Sequence, residues 1–148
     1  MRYFRIAALL SSLIIGIDSD PLLAETPSQR LPRVTFEVGS IAQWKPNPEQ
    51  IREAEIALRV AFNTAREKLS ASPFKPIDLS NYGRQYIGTV KDQHRTIEVI
   101  GFCTALGHSE SELSKTPLMV LDGGACFFRG EYDLDKKIFT SFYFNGNA

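Results

Sequence analysis

The stretch Asn47-Pro48-Glu49-Gln50-Ile51-Arg52-Glu53-Ala54-Glu55-Ile56-Ala57-Leu58-Arg59-Val60-Ala61-Phe62-Asn63-Thr64-Ala65-Arg66-Glu67-Lys68-Leu69-Ser70 reads as one long amphipathic helix. Asn47 has the side chain of an N-cap, Pro48 suits the first helical position, and Gln50 stands where a capping box closes. Ile51, Ala54, Leu58, Ala61, Phe62, Ala65 and Leu69 fall on one stripe at helical spacing. The helix is expected from Pro48 to Ser70, stopping before Pro73, with a length of roughly 34 Å. Ile56 and Val60 lie one turn apart on the opposite face. They read either as a partner surface or as two scattered exposed apolar residues, which are common.

Outward from the helix, the chain reads as β-structure. Upstream, residues 33–41 alternate Val34, Phe36 and Val38 with Arg33, Thr35 and Glu37, the two-residue period of a half-buried strand. Downstream, residues 86–90 and 96–103 are β-rich runs joined by a polar loop, Lys91-Asp92-Gln93-His94-Arg95. A longer polar loop, residues 107–116, leads to further runs at 118–121, 125–132 and 138–144. Asp122-Gly123-Gly124 breaks the first two, and a turn over residues 133–137 separates the last two. Seven of the 16 aromatic residues lie between Phe127 and Phe144, enough for a small sheet to build one core, since each can bury 150–250 Å². The expected fold class is α+β, a long helix packed on an antiparallel meander. Leu58, Phe62, Ile97, Val99, Phe139 and Phe142 are the expected core.

The N-terminus has the composition of an export signal. Arg2 and Arg5 precede twelve residues, Ile6 to Ile17, that form an apolar core too short to span a bilayer, and Ala24 offers a cleavage point before Glu25. The expected organisation is a signal peptide over residues 1–24, a flexible lead-in over 25–32, and one domain over 33–148. The 148-residue chain has 17 basic and 17 acidic residues. Removing residues 1–24 takes two of each, so the mature chain stays neutral and gives no electrostatic reason to bind nucleic acid or an anionic membrane. The expected protein is exported to periplasm or medium, with no membrane segment after cleavage, and monomeric.

An oxidising compartment turns two nearby thiols into a disulfide, so Cys103 and Cys126, the only cysteines, are expected to pair. The alternative is a thiol nucleophile with His94 or His108 as base, but the neighbours of Cys103 supply no cation to activate it. The two histidines lie in separate loops without zinc-site spacing, and no cofactor or metal motif is present. The acidic pairs Asp133/Asp135 and Glu110/Glu112 fall in turns, where solvated acids are ordinary. Asp122-Gly123-Gly124 reads either as an anion-holding nest or as a turn or bulge that re-aims the next strand. Arg129 projects from that strand.

The strand–helix–strands order resembles the cystatin-like arrangement, though residues 91–95 lack the Gln-x-Val-x-Gly loop of inhibitors of that class. Asp122-Gly123-Gly124, Phe127-Phe128, Tyr132-Asp133, Phe139 and the ending Phe144-Asn145-Gly146-Asn147-Ala148 resemble the C-terminal pattern of a family of small exported bacterial proteins of uncharacterised function. That resemblance covers about 30 residues and implies compartment and compact size, but no activity. The favoured function is a non-enzymatic binding or inhibitory module. Its expected contact residues are Asp92, Gln93, His94, Asp122, Gly123, Gly124 and Arg129, with the loops at 91–95 and 107–116 forming one epitope at one end of the sheet. The alternative is a small enzyme with a cleft between helix and sheet, served by Asp122, His94 and Arg129.

Overall fold

The computed structural model describes residues 31–37, 39, 41–69 and 78–146; the expected signal peptide and most of the lead-in lie outside them. One main helix packs on a five-stranded mixed sheet, an α+β fold. The strands are β1 (Arg33–Thr35), β2 (Gly83–Lys91), β3 (His94–Phe102), β4 (Phe127–Asp133) and β5 (Ile138–Phe144), and they lie side by side in that order. The long helix α1 spans Pro48–Lys68, and a single-turn helix α2 spans Glu110–Leu113.

α1 forms as its sequence dictates. The Asn47 side chain accepts from the Gln50 amide, the Gln50 side chain accepts from the Asn47 amide, each at 2.9 Å, and Pro48 opens the first turn. Ala54, Leu58 and Phe62 are buried against the sheet. The Phe62 ring is the centre of the core, edge-on to Tyr82, Phe128, Phe142 and Phe144 at centroid distances of 5.2–6.2 Å. Ile97 and Val99 are fully buried beneath the helix, whereas Phe139 and Phe142 are only half-buried because β5 is the edge strand. Gly101 lies opposite Phe128 and makes room for its ring, since a Cβ there would stand 2.0 Å from it.

The first strand departs from the expected meander in two ways. β1 is three residues long and runs parallel to β2, with Val34 beside Gln85. A parallel neighbour needs a crossover connection, and α1 supplies it. Beyond one more bond, from the Phe36 N–H to the Tyr86 carbonyl (3.0 Å), the chain turns. Phe36 and Ala42 then pack with Ile87 and Ile100 in a small cluster of their own.

The β2–β3 connection is a two-residue turn, not the five-residue loop expected, because Lys91, His94 and Arg95 belong to the strands. Asp92 and Gln93 both take positive φ, 49° and 67°, the geometry that matches strand twist in the tightest hairpins. The 107–116 loop contains α2, closed by a Ser109–Glu112 capping box and anchored by buried Leu113. Residues 118–121 form no strand. Pro117 lacks an amide, and the backbone that follows bonds to side chains rather than to a neighbouring strand.

Cys103 and Cys126 form the expected disulfide, with Cα atoms 5.0 Å apart. The Cys103 N–H also donates to the Cys126 carbonyl at 2.9 Å, so covalent and hydrogen bonds together tie the end of β3 to the start of β4.

Candidate functional site

The residues singled out in the sequence divide between the two ends of the sheet. Asp92 and Gln93 form the β2–β3 turn, with His94 beside it. The imidazole Nδ1 of His94 lies 2.9 Å from an Asp135 carboxylate oxygen at the adjoining β4–β5 turn. Asp133 accepts the N–H groups of Asp135 and Lys136, both at 2.9 Å. Hydrogen bonds from Lys136, with the Asp135 amide adding to them, hold the Asp133 carboxyl below the usual carboxylate range. Asp133 thus fastens the β4–β5 turn, while Glu112 closes the cap of α2.

Asp122, Gly123, Gly124 and the disulfide lie at the other end. Gly123 takes φ 103° and Gly124 φ 56°, which lets the chain fold into a single 3-10 turn, Gly124–Cys126, before β4. The Gly124 amide donates to the Gly146 carbonyl (3.1 Å) and the Cys126 amide to the Gly123 carbonyl (3.2 Å). The glycines thus make a turn whose Gly124 and Cys126 amides are already bonded within the chain. Arg129, on β4, reaches Glu98 at 3.1 Å and the Met119 sulfur at 2.7 Å.

β3 separates these groups. Its nine residues extend about 27 Å, with His94 at one end and Phe102, next to the disulfide, at the other. Asp122, His94 and Arg129 therefore do not converge, and the turn at 92–93 and the loop at 107–116 are not one epitope. The space between α1 and the sheet is occupied by Leu58, Phe62, Tyr82, Phe128 and their neighbours.

The most unusual surface lies at residues 117–122, where the sequence predicts a strand over 118–121 and none forms. These residues carry no regular structure and bend at Leu121. Leu118 is buried in a cluster with Val34, Phe102, Leu113 and Phe127, and Val120 packs against it. Met119 and Leu121 point the other way and are 69% and 96% exposed. The backbone on either side of Met119 is held by two amide side chains. Gln85, fully buried on β2, donates through Nε2 to the carbonyls of Leu113 (2.6 Å) and Thr116 (2.8 Å) and accepts the Leu118 N–H on Oε1 (2.7 Å). Asn145, just past β5, donates to the Val120 carbonyl (2.6 Å) and, more loosely, to that of Asp122 (3.5 Å). Tyr82 donates its hydroxyl to the Ala125 carbonyl beside the disulfide. The segment thus has a hydrogen-bonded backbone, with Met119 exposed but held at its sulfur by Arg129 and Leu121 almost wholly exposed.

A second polar cluster fastens α1 to the sheet. Tyr86 donates to Glu55 at 2.6 Å, and the Arg84 Nε stands 3.1 Å from the same carboxylate oxygen, too poorly aligned to count as a hydrogen bond. Arg84 is buried, and its other nitrogens donate to the carbonyls of Tyr82 and Leu79 at 3.2 and 2.8 Å. Burial, reinforced by the charge and hydrogen bond of Glu55, pushes the Tyr86 hydroxyl far above its ordinary pKa. It stays protonated and donating at neutral pH, which suits a structural clasp and not a proton shuttle.

Among the described residues, no group of three His, Cys, Asp or Glu side chains is placed to hold a metal ion, and no helix is long and apolar enough to cross a membrane. No protein-family model, curated protein or solved structure matches the chain.

Proposed function

We propose that this chain is an exported, non-enzymatic binding module that presents residues 117–122 to a cleft on a partner protein and can act there as an inhibitor. One observation carries the reading: the chain exposes Met119 and Leu121 on a segment whose backbone is hydrogen-bonded to buried side chains at Leu118 and Val120. Exposed apolar side chains on a loose loop lose entropy when they bind; on a fixed segment that loss has already been met in folding, which raises affinity. Met119 and Leu121 stand two residues apart on the exposed side, so the complementary cleft has two neighbouring apolar pockets. Burying Leu121 alone is worth about 1.5–3 kcal/mol. The disulfide supports an oxidising compartment.

The test is capture from periplasmic extract or culture medium with the oxidised protein as bait. Wild type and an Asp92→Gly/Gln93→Gly turn variant should capture the same partner, and Met119→Ser/Leu121→Ser should lose it while melting as wild type does. Equal capture by the Met119/Leu121 variant rejects the surface.

A further inference from the structure

Met119 and Arg129 bring a thioether and a cation together on the sheet. Phe128 faces α1, so Arg129, next to it on β4, projects from the opposite face. Its Nη2 lies 2.7 Å from the Met119 sulfur, and its Nη1 donates to Glu98 on β3 at 3.1 Å. Met119 is 69% exposed. Met1 is the other methionine of the chain, and both cysteine sulfurs are already joined in the disulfide.

Both members of the pair are held in place. β4 is paired with β3 on one side and β5 on the other, and Glu98 directs the guanidinium. The backbone around Met119 is bonded at the Leu118 amide, to Gln85 at 2.7 Å, and at the Val120 carbonyl, to Asn145 at 2.6 Å. The meeting of sulfur and guanidinium is therefore set by the fold.

The two groups are chemically mismatched. A thioether sulfur is a weak acceptor, whereas a guanidinium is a permanent charge with five donors in a fixed fork. Such a donor gains little from sulfur. A sulfoxide oxygen, one bond from that sulfur, is a full acceptor with partial negative charge and gains a charge-assisted hydrogen bond from the same nitrogen. Glu98 keeps Nη1, so the fork serves two oxygens at once. The site fits the oxidised side chain better than the reduced one.

We propose that Met119 is a site of reversible oxidation and that Arg129 binds the oxygen of its sulfoxide. The oxidant is a hydroperoxide. A lone pair of the Met119 Sδ attacks the terminal peroxide oxygen, and the S–O bond forms as the O–O bond breaks. The sulfur gives up two electrons. The proton of the attacked oxygen passes to the departing one, which leaves as an alcohol, or as water from hydrogen peroxide. Reversal takes a methionine sulfoxide reductase, with two electrons from thiols and the oxygen released as water. The exposure of Met119 admits both reagents. The site is defined without reference to any binding partner.

The test treats the disulfide-bonded protein with hydrogen peroxide, maps the added oxygen by peptide mass, and melts the treated and untreated forms. Met119 should take up one oxygen, and Met119→Leu should melt alike before and after treatment. The change in Tm on oxidation should be more favourable in wild type than in Arg129→Leu by at least about 3 °C. Each variant is compared with itself, so loss of the Glu98 ion pair cancels. Arg129→Gln gives the same comparison should Arg129→Leu not fold. A Met119 that takes up no oxygen under conditions that oxidise free methionine, or an equal change in Tm with and without the Arg129 guanidinium, overturns the proposal.

Discussion

Replacing Gln85 by methionine separates the fixed backbone of residues 117–122 from everything else in the fold. Methionine has nearly the same length and fills the same buried space, but it cannot serve the Leu113 and Thr116 carbonyls or the Leu118 amide. Three net hydrogen bonds at about 0.5–1.5 kcal/mol each sum to about 3 kcal/mol. Part of that is recovered if the loop lifts and its groups find water, so about 2–3 kcal/mol is expected, with a fall in Tm of about 8–15 °C for a chain of this size. Denaturant titration followed by fluorescence of Trp44 reads the stability, and hydrogen exchange at the Leu118 amide reads the loop. Gln85→Met should lose both stability and protection at Leu118, while protection at Ile97 and Val99 in the core falls only in step with global stability. A loss under about 1 kcal/mol with the Leu118 amide still protected would refute the reasoning, because the backbone would then be held by something other than Gln85.

Phe62→Ala should cost about 3–5 kcal/mol in the same titration, since four rings lose their central neighbour; a cost below about 1 kcal/mol means that α1 does not rest on the sheet through this face. Intact mass after alkylation without reductant should show no modified thiol, and reduction should lower stability by about 3–4 kcal/mol, the value for a loop of this length in the chain-entropy model. Asp133 is held below its ordinary pKa, so its contribution is fully present above the unfolded carboxylate value and is lost as pH falls through the folded one. Asp133→Asn should accordingly flatten the acid limb of stability as pH falls below the unfolded carboxylate value of about 4, and an unchanged limb would show that another carboxylate dominates there.

How much of this was legible follows from the range over which each signal acts. α1 was readable to within two residues at its C-terminal end because cap, first-turn proline and apolar stripe are local and agree. β5 was readable because an aromatic, β-rich run follows directly on a polar turn. The disulfide followed from compartment and count. The turn at Asp92-Gln93 was hidden because neither residue is glycine, although both take positive φ. The parallel pairing of β1 depends on where α1 carries the chain, which no local pattern records. Residues 118–121 look like a strand because Leu118 and Val120 do face a core; what they lack is a strand beside them. Gln85 and Asn145, which hold that segment, lie 33 and 25 residues away from the backbone they serve and have no local motif. Of the residues expected at the site, Asp122, Gly123, Gly124 and Arg129 adjoin the segment, and Asp92, Gln93 and His94 lie at the far end of β3.

The most direct test of the binding surface is calorimetric titration of the captured partner with the oxidised protein and with Leu121→Ser. Loss of one buried leucine side chain predicts a dissociation constant about 10–150-fold weaker, with His94→Ala indistinguishable from wild type. Wild-type affinity for Leu121→Ser, together with weakened binding by His94→Ala, would contradict the account and move the contact to the opposite end of the sheet.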